Sequence, residues 1–414
     1  MKEAECFQNL IFNKDRARAY LDKYALKAVV ATSPVNVSYF TDLDCWMYRS
    51  FRENMQHPGA PDSLMQSYAI VDPSFDIDLV IRGDTAPFAS DLNLSDIIPY
   101  SEVIGRQSVP KGRSSKAATS SIPDSPGAAL VKGLREKGIT RGKVGIEFNN
   151  LSEHSKKTLK KELPGLRLFD CTDFIRMIRM VKTPEEIERL TKAAEVNEDS
   201  ILAVSRKVKA GMTMGDLILQ YNIEIAQRGG IYDHFIFSPN GVGFSNIPSY
   251  KISAGEHVAV DFGCILNGYY CDSGKSLILG NSSTEWLEKY QILWNNLDEE
   301  RKSVKPGTLP SRIVEDMDQR LSEQGLAKVG AHGHAIGREP REIPVIMPTN
   351  YKEFHDDVIK GSTDIPIEEG MTINLESALL LPGKGSVHVE RTFLVSKDGC
   401  SELWAQKERL PLMV

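Results

Sequence analysis

Four acidic residues sit inside runs that otherwise read as buried β-strands, and this conflict limits what the chain can fold into. The runs are HVAVDFGCIL around Asp261, GYYCDSG around Asp272, TINLES around Glu376 and VHVERTFLV around Glu390. An isolated carboxylate carried into an apolar interior costs several kcal/mol or more, so each must be paired, hydrogen-bonded or bound to a metal. Taken singly, a capping or surface role suits each aspartate as well. Four such acids and a histidine in one half of the chain are much harder to dismiss. The histidines are His332 and His334 of AHGHAIG, which would share one face of a strand, although the glycines suit a loop equally.

The rest of the chain alternates helical and strand patterns. With 414 residues it is long enough for roughly two or three domains. DRARAYLDKYALKAVVA reads as an amphipathic helix running into a short strand, and SPVNVSYFTDL as turn residues before a new element. Strands are expected at 67–71, 78–81 and from 143, with a helix over 130–138, which together suggest an α/β first domain. Residues 108–127, rich in Ser, Pro, Gly and Lys, read as an exposed loop within it. At Thr183 the pattern changes: TPEE offers an N-cap, Pro184 in the first turn and Glu186 closing a capping box. A long helix follows, then a second over 213–228, then β-rich sequence after residue 230 with helices over 285–304 and 310–324. That order predicts an α+β second domain with an antiparallel or mixed sheet, and divides the chain into residues 1–175 and 176–414.

Composition narrows the function classes. A net charge of -6, with Lys and Arg spread among acids, argues against a nucleic-acid partner. No apolar run approaches the ~20 residues of a membrane helix, and the N-terminus lacks the layout of a secretory signal. The six cysteines form no CxxC pair, against both a disulfide framework and a structural zinc site. A cytoplasmic protein is expected.

Four carboxylates and an imidazole suffice for two hard or borderline divalent ions, since a carboxylate can bridge ions ~3.5–4 Å apart. Such a pair would bridge a hydroxide, lower its pKa into the neutral range and polarise the carbonyl that it attacks. In order, VDFGCILNGYYCDSGKS, GHAIGREPREIP, GMTINLES and VERTFLV resemble the pita-bread fold of the creatinase, aminopeptidase P, prolidase and methionine aminopeptidase family. The resemblance spans about residues 176–400 and reaches the first domain through SPVNVSYFT and MVKTPEEIERL. It implies a pita-bread catalytic domain preceded by a smaller creatinase-type domain. It also implies that Asp261 chelates one metal, that Asp272 and Glu390 bridge both, and that His334 and Glu376 complete the shell. Two divalent ions are expected, Mn, Co, Zn or Fe, which favours a metal-dependent member over metal-free creatinase.

The implied activity is hydrolysis of a C–N bond in an Xaa-Pro peptide, with Glu376 relaying the proton. Two departures bear on it. The histidine that family peptidases place before the first aspartate strand falls on Asn246, and one seven residues after the metal histidine falls on Arg341. Asn246 can donate a hydrogen bond to an oxyanion and Arg341 can bind a carboxylate, but neither carries protons well near neutral pH. A one-residue shift in the loop is the alternative, with His332 then supplying an acid–base group. Trp46, Tyr48, Arg49, Phe51 and Arg52 suit either a pocket for a charged substrate at the partner's site of a creatinase-like homodimer, or a plain helix. Three readings follow: an Xaa-Pro peptidase, a family member acting on a small charged metabolite as hydrolase or metal-dependent lyase, and a non-catalytic binding protein.

Overall fold

The computed structural model describes residues 11–43, 66–101, 122–280, 283–326, 332–347, 353–404 and 411–413. It divides into two compact units, Met1–Arg179 with Phe354–Gly361, and Met180–Glu353 with Ser362–Val414.

The first unit is built from α1 (Lys14–Tyr24), β1 (Ala28–Ala31), α2 (Pro34–Thr41), β2 (Tyr68–Val71), β3 (Ile77–Arg82), β4 (Asp96–Tyr100), α3 (Pro126–Glu136), β5 (Arg141–Ile146), α4 (Glu153–Glu162), β6 (Gly165–Asp170) and α5 (Thr172–Arg179). Its six strands form one mixed sheet in the order β4-β3-β2-β1-β5-β6. The core holds Val30, Ile70, Val80, Ile98, Leu134 and Val144. One expectation fails here: SPVNVSYFT is not a turn but helix α2. Ser33 accepts from the Asn36 N–H as N-cap and Pro34 sits in the first turn. Glu147, distant in sequence, accepts from the N–H groups of Thr32 at 2.7 Å and Ser33 at 3.0 Å, satisfying donors that a helix start leaves without partners.

The second unit contains α6 (Pro184–Ser205), α7 (Met214–Gln227), β7 (Ile231–Phe237), β8 (His257–Leu266), β9 (Tyr269–Ile278), α8 (Thr284–Ser303), α9 (Pro310–Glu323), β10 (Gly333–Ala335), β11 (Glu342–Ile346), β12 (Thr372–Leu381), β13 (Gly385–Ser396), β14 (Gly399–Glu402) and β15 (Leu412–Met413). The Thr183–Glu186 capping box opens α6, and a second one, Thr213 with Asp216, opens α7. The nine strands run β11-β10-β12-β13-β9-β8-β7, with β14 beside β13 and β15 beside β9. This is the α+β arrangement that the element order predicted.

Alternation along the strands separates two faces. Val258, Val260, Phe262 and Cys264 of β8 enter the core with Leu217, Tyr221, Phe235 and Phe237. Asp261 and Gly263, between them in sequence, therefore face away from α6 and α7. On β13, Arg391 stacks over Trp294 of α8 at 4.2 Å, so Glu390 faces away from α8. The acids occupy the side of the sheet opposite the helices. No helix among the described residues is long and apolar enough to cross a membrane.

Candidate metal centre

Strand register assembles the acids. Glu376 lies directly opposite Glu390, Glu390 opposite Gly274, and Gly274 opposite Asp261, so one row crosses β12, β13, β9 and β8. Asp272 pairs with Gly263 one step along, on the same face. The β8–β9 hairpin holds this register through Asn267 (φ 49°) and Gly268 (φ 78°), both left-handed as a tight two-residue turn requires. Like charges directly across a ladder are destabilising, so the Glu376–Glu390 pair needs a compensating cation.

Around the row stand three imidazoles. His334 of β10 brings Nε2 to 3.6 Å from Asp272 Oδ2, its Nδ1 lying 3.0 Å from the Ala335 carbonyl. His234 of β7 places Nε2 2.9 Å from Asp261 Oδ1 and 3.2 Å from Asp272 Oδ1. His388 of β13 places Nε2 3.6 Å from Glu376 Oε2 and 3.8 Å from Glu390 Oε2. Three overlapping groups result, each with donor atoms within 4.8 Å of one another: His234–Asp261–Asp272, Asp272–His334–Glu390 and Glu376–His388–Glu390. Glu390 Oε2 and His388 Nε2 are buried without hydrogen-bond partners. Buried polar atoms are almost always satisfied, so this donor set fits divalent cations well.

The electrostatics of the metal-free chain show the same strain. Burial pushes the Glu390 carboxyl well up, and the nearby Asp272, Asp261 and Glu376 push it further. Burial also raises Asp261 against the hydrogen bond from His234. For Asp272, burial acts upward but His234 and His334 outweigh it and hold the carboxyl below its ordinary range. His234 and His388 are both raised: burial disfavours their charged forms, and the surrounding carboxylates prevail.

The structure brings Asp261, Asp272, His334, Glu376 and Glu390 together. His332 is fully buried with Nε2 2.7 Å from Asp318 Oδ1 of α9. Asn246 is exposed just after the Phe237–Ser245 bridge, and Arg341 is exposed before β11. Trp46, Tyr48, Arg49, Phe51 and Arg52 lie outside the described residues, as does most of the 108–127 loop. His234 and His388 were not anticipated. His388 carries a usable signal, since its spacing of two from Glu390 places both on one strand face. His234 carries none, because a register shift between Tyr232 and His234 decides where it points.

Two units of this kind, the second with carboxylates and imidazoles gathered on one face of a mixed sheet, define a metallohydrolase scaffold. Metallopeptidase family M24 matches residues 188–397, half of the chain, and the chain belongs to that family. The creatinase/prolidase N-terminal domain matches residues 14–181. The Xaa-Pro dipeptidase of Pyrococcus furiosus is 25% identical over 278 residues, 64% of this chain and 75% of that protein. The Xaa-Pro dipeptidase of Lactobacillus helveticus is 24% identical, over 67% of this chain and 74% of its own. Among solved structures, an X-Pro aminopeptidase from Thermotoga maritima superposes with a TM-score of 0.71 at 17% identity, covering 97% of this chain and 99% of that one. The prolidase of Pyrococcus furiosus superposes with a TM-score of 0.67 at 19% identity, covering 94% and 100%. The fold is thus a creatinase-type first domain followed by a pita-bread second domain, and the chain is a metal-dependent hydrolase.

Proposed function

We propose that Asp261, Asp272, His334, Glu376 and Glu390 hold two divalent cations and that the enzyme hydrolyses the peptide bond before proline in short peptides. The observation that carries the ligand set is the row Glu376–Glu390–Gly274–Asp261, in which Glu376 and Glu390 face one another directly across the ladder and Glu390 Oε2 is buried without a hydrogen-bond partner. The Xaa-Pro specificity is supported by the relatives, which carry that name. Divalent ions held there polarise a carbonyl and lower the pKa of a water toward neutrality.

The chain's own residues do the positioning and the proton transfer. The Glu390 side chain is 2% exposed and its part is to hold; that of Glu376, at 16%, reaches solvent and takes the proton from the attacking water for delivery to the leaving nitrogen. Asn246, exposed in its loop, donates to the developing oxyanion, and Arg341 receives the carboxylate end of a short substrate. We also propose a homodimer. A reducing compartment such as the cytoplasm is supported by the unbonded, directly opposed thiols of Cys264 and Cys271.

A panel of Xaa-Pro dipeptides and small zwitterions, assayed with Mn, Co, Zn or Fe, tests the activity. Release of proline supports the peptidase reading, and turnover of a zwitterion alone replaces it with a small-metabolite enzyme, the reading that Asn246 and Arg341 would then favour. Metal content below about one ion per chain after supplementation would sink the two-metal ligand set.

A further inference from the structure

His234 and His388 are held in the way that ligating imidazoles are held. In a metal-bound histidine the ring nitrogen that does not coordinate usually donates to a carboxylate or a backbone carbonyl, which fixes the tautomer. His234 Nδ1 lies 2.8 Å from Asp233 Oδ2, and His388 Nδ1 lies 3.3 Å from the Val260 carbonyl oxygen. Each ring is thereby committed to presenting Nε2 to two carboxylates. The His388 Nε2 separations of 3.6 and 3.8 Å are too long for hydrogen bonds, and the atom is buried without a partner. Donors ~2.1 Å from one ion stand roughly 3.0 Å apart at a right angle and roughly 3.4 Å apart at a tetrahedral angle. The His234 separations, 2.9 and 3.2 Å, fall at the first value and between the two, and those of His388, 3.6 and 3.8 Å, lie beyond the second.

The backbone makes room for both rings. A Cβ on Gly263 would meet His234 Cε1 at 2.5 Å, and one on Gly274 would meet His388 Cε1 at 2.2 Å. The glycine opposite each metal-site aspartate is therefore the floor on which an imidazole lies. On β7, the register shift between Tyr232 and His234 turns Asp233 and His234 to the same use, as bulges beside active sites commonly do.

We propose that His234 and His388 are metal ligands in their own right, one at each end of the cluster, so that the centre offers three imidazoles rather than one. The inference rests on the metal-holding part of the proposed function and extends its donor set. Imidazole suits Zn, Co and Fe, whereas Mn prefers carboxylate and water, so the two additional nitrogens turn the site toward borderline ions.

Metal-free protein titrated separately with Zn(II) and Mn(II) tests this, with Co(II) visible absorption as a second readout. His234→Ala and His388→Ala should each weaken Zn(II) binding at least tenfold, weaken Mn(II) less, and alter the Co(II) spectrum. His388→Gln keeps more of the buried volume and should behave like His388→Ala. Thermal unfolding of the metal-free variants checks that they fold. If His234 is instead an imidazolium neutralising Asp261 and Asp272, its removal will leave Zn(II) affinity unchanged or raise it, which overturns its ligand role; unchanged affinity in both His388 variants overturns that residue's. A wild-type protein that takes up neither ion overturns the five-residue ligand set together with this extension, whereas unchanged variants of a metal-binding wild type overturn the extension alone.

Discussion

Asp272 belongs to two of the three donor groups, touching His234 through Oδ1 and His334 through Oδ2. No other aspartate in the cluster has that position, so its loss should separate the site's two halves. Asp272→Asn is expected to reduce bound metal by about one ion per chain and peptidase turnover on the order of a hundredfold or more. Metal analysis beside steady-state kinetics measures this; full metal content with low turnover would assign Asp272 to chemistry rather than to holding. Gly263 is equally committed, because a methyl group there would press on the His234 ring and come within 2.7 Å of the Cys271 carbonyl oxygen. Gly263→Ala should destabilise the fold by about 1–3 kcal/mol, read from denaturant unfolding, and a neutral result would mean that the ring moves aside freely. At this scale the acids were legible because a charge within an apolar run is itself anomalous. His234 was not, since an imidazole in IYDHFIF reads as an ordinary strand residue.

Among the elements, legibility followed locality. The capping boxes of α6 and α7 and the β8–β9 hairpin are written in a few adjacent residues, and the structure has them. Helix α2 was read as a turn because part of what stabilises its start comes from Glu147, far along the chain. The placement of His234 depends on how β7 pairs with β8, which no local pattern records. The α6 cap also makes a pH-dependent element. Burial pushes the Glu186 carboxyl up to about 7, against the Thr183 N–H bond and the nearby Lys182 and Arg338. A folded pKa above the ordinary carboxyl value means that the folded state retains the proton more tightly. Its contribution is therefore complete below about pH 4.5 and lost as pH rises through about 7. Glu186→Gln keeps an acceptor for the cap and cannot ionise. Between pH 4.5 and 8, metal-free wild type should lose on the order of 3 kcal/mol of unfolding free energy more than the variant. Parallel pH profiles from urea unfolding would refute it.

For the molecule as a whole, each compact unit has its own core, and the carboxylate row lies entirely in strands of the second. Metal removal should accordingly act on one unit. In the metal-free state the second unit must hold Glu376 opposite Glu390 and keep Glu390 buried. A ligand that binds only the folded state stabilises by mass action, about 4 kcal/mol when its concentration is a thousand times its Kd. Hydrogen exchange is suited to resolving this, since opening energies differ from element to element. With Zn or Mn present, amides of β8, β9, β12 and β13 should become more strongly protected, by up to about a thousandfold where exchange requires opening of the second unit. Amides of β1, β2, β3 and β5 should change little, because their cross-strand pairs and apolar partners all lie within the first unit. Equal protection in both units would mean that opening is global and that the metal stabilises the chain as one cooperative body. Protection confined to the first unit would be incompatible with a metal centre on the row from Glu376 to Asp261.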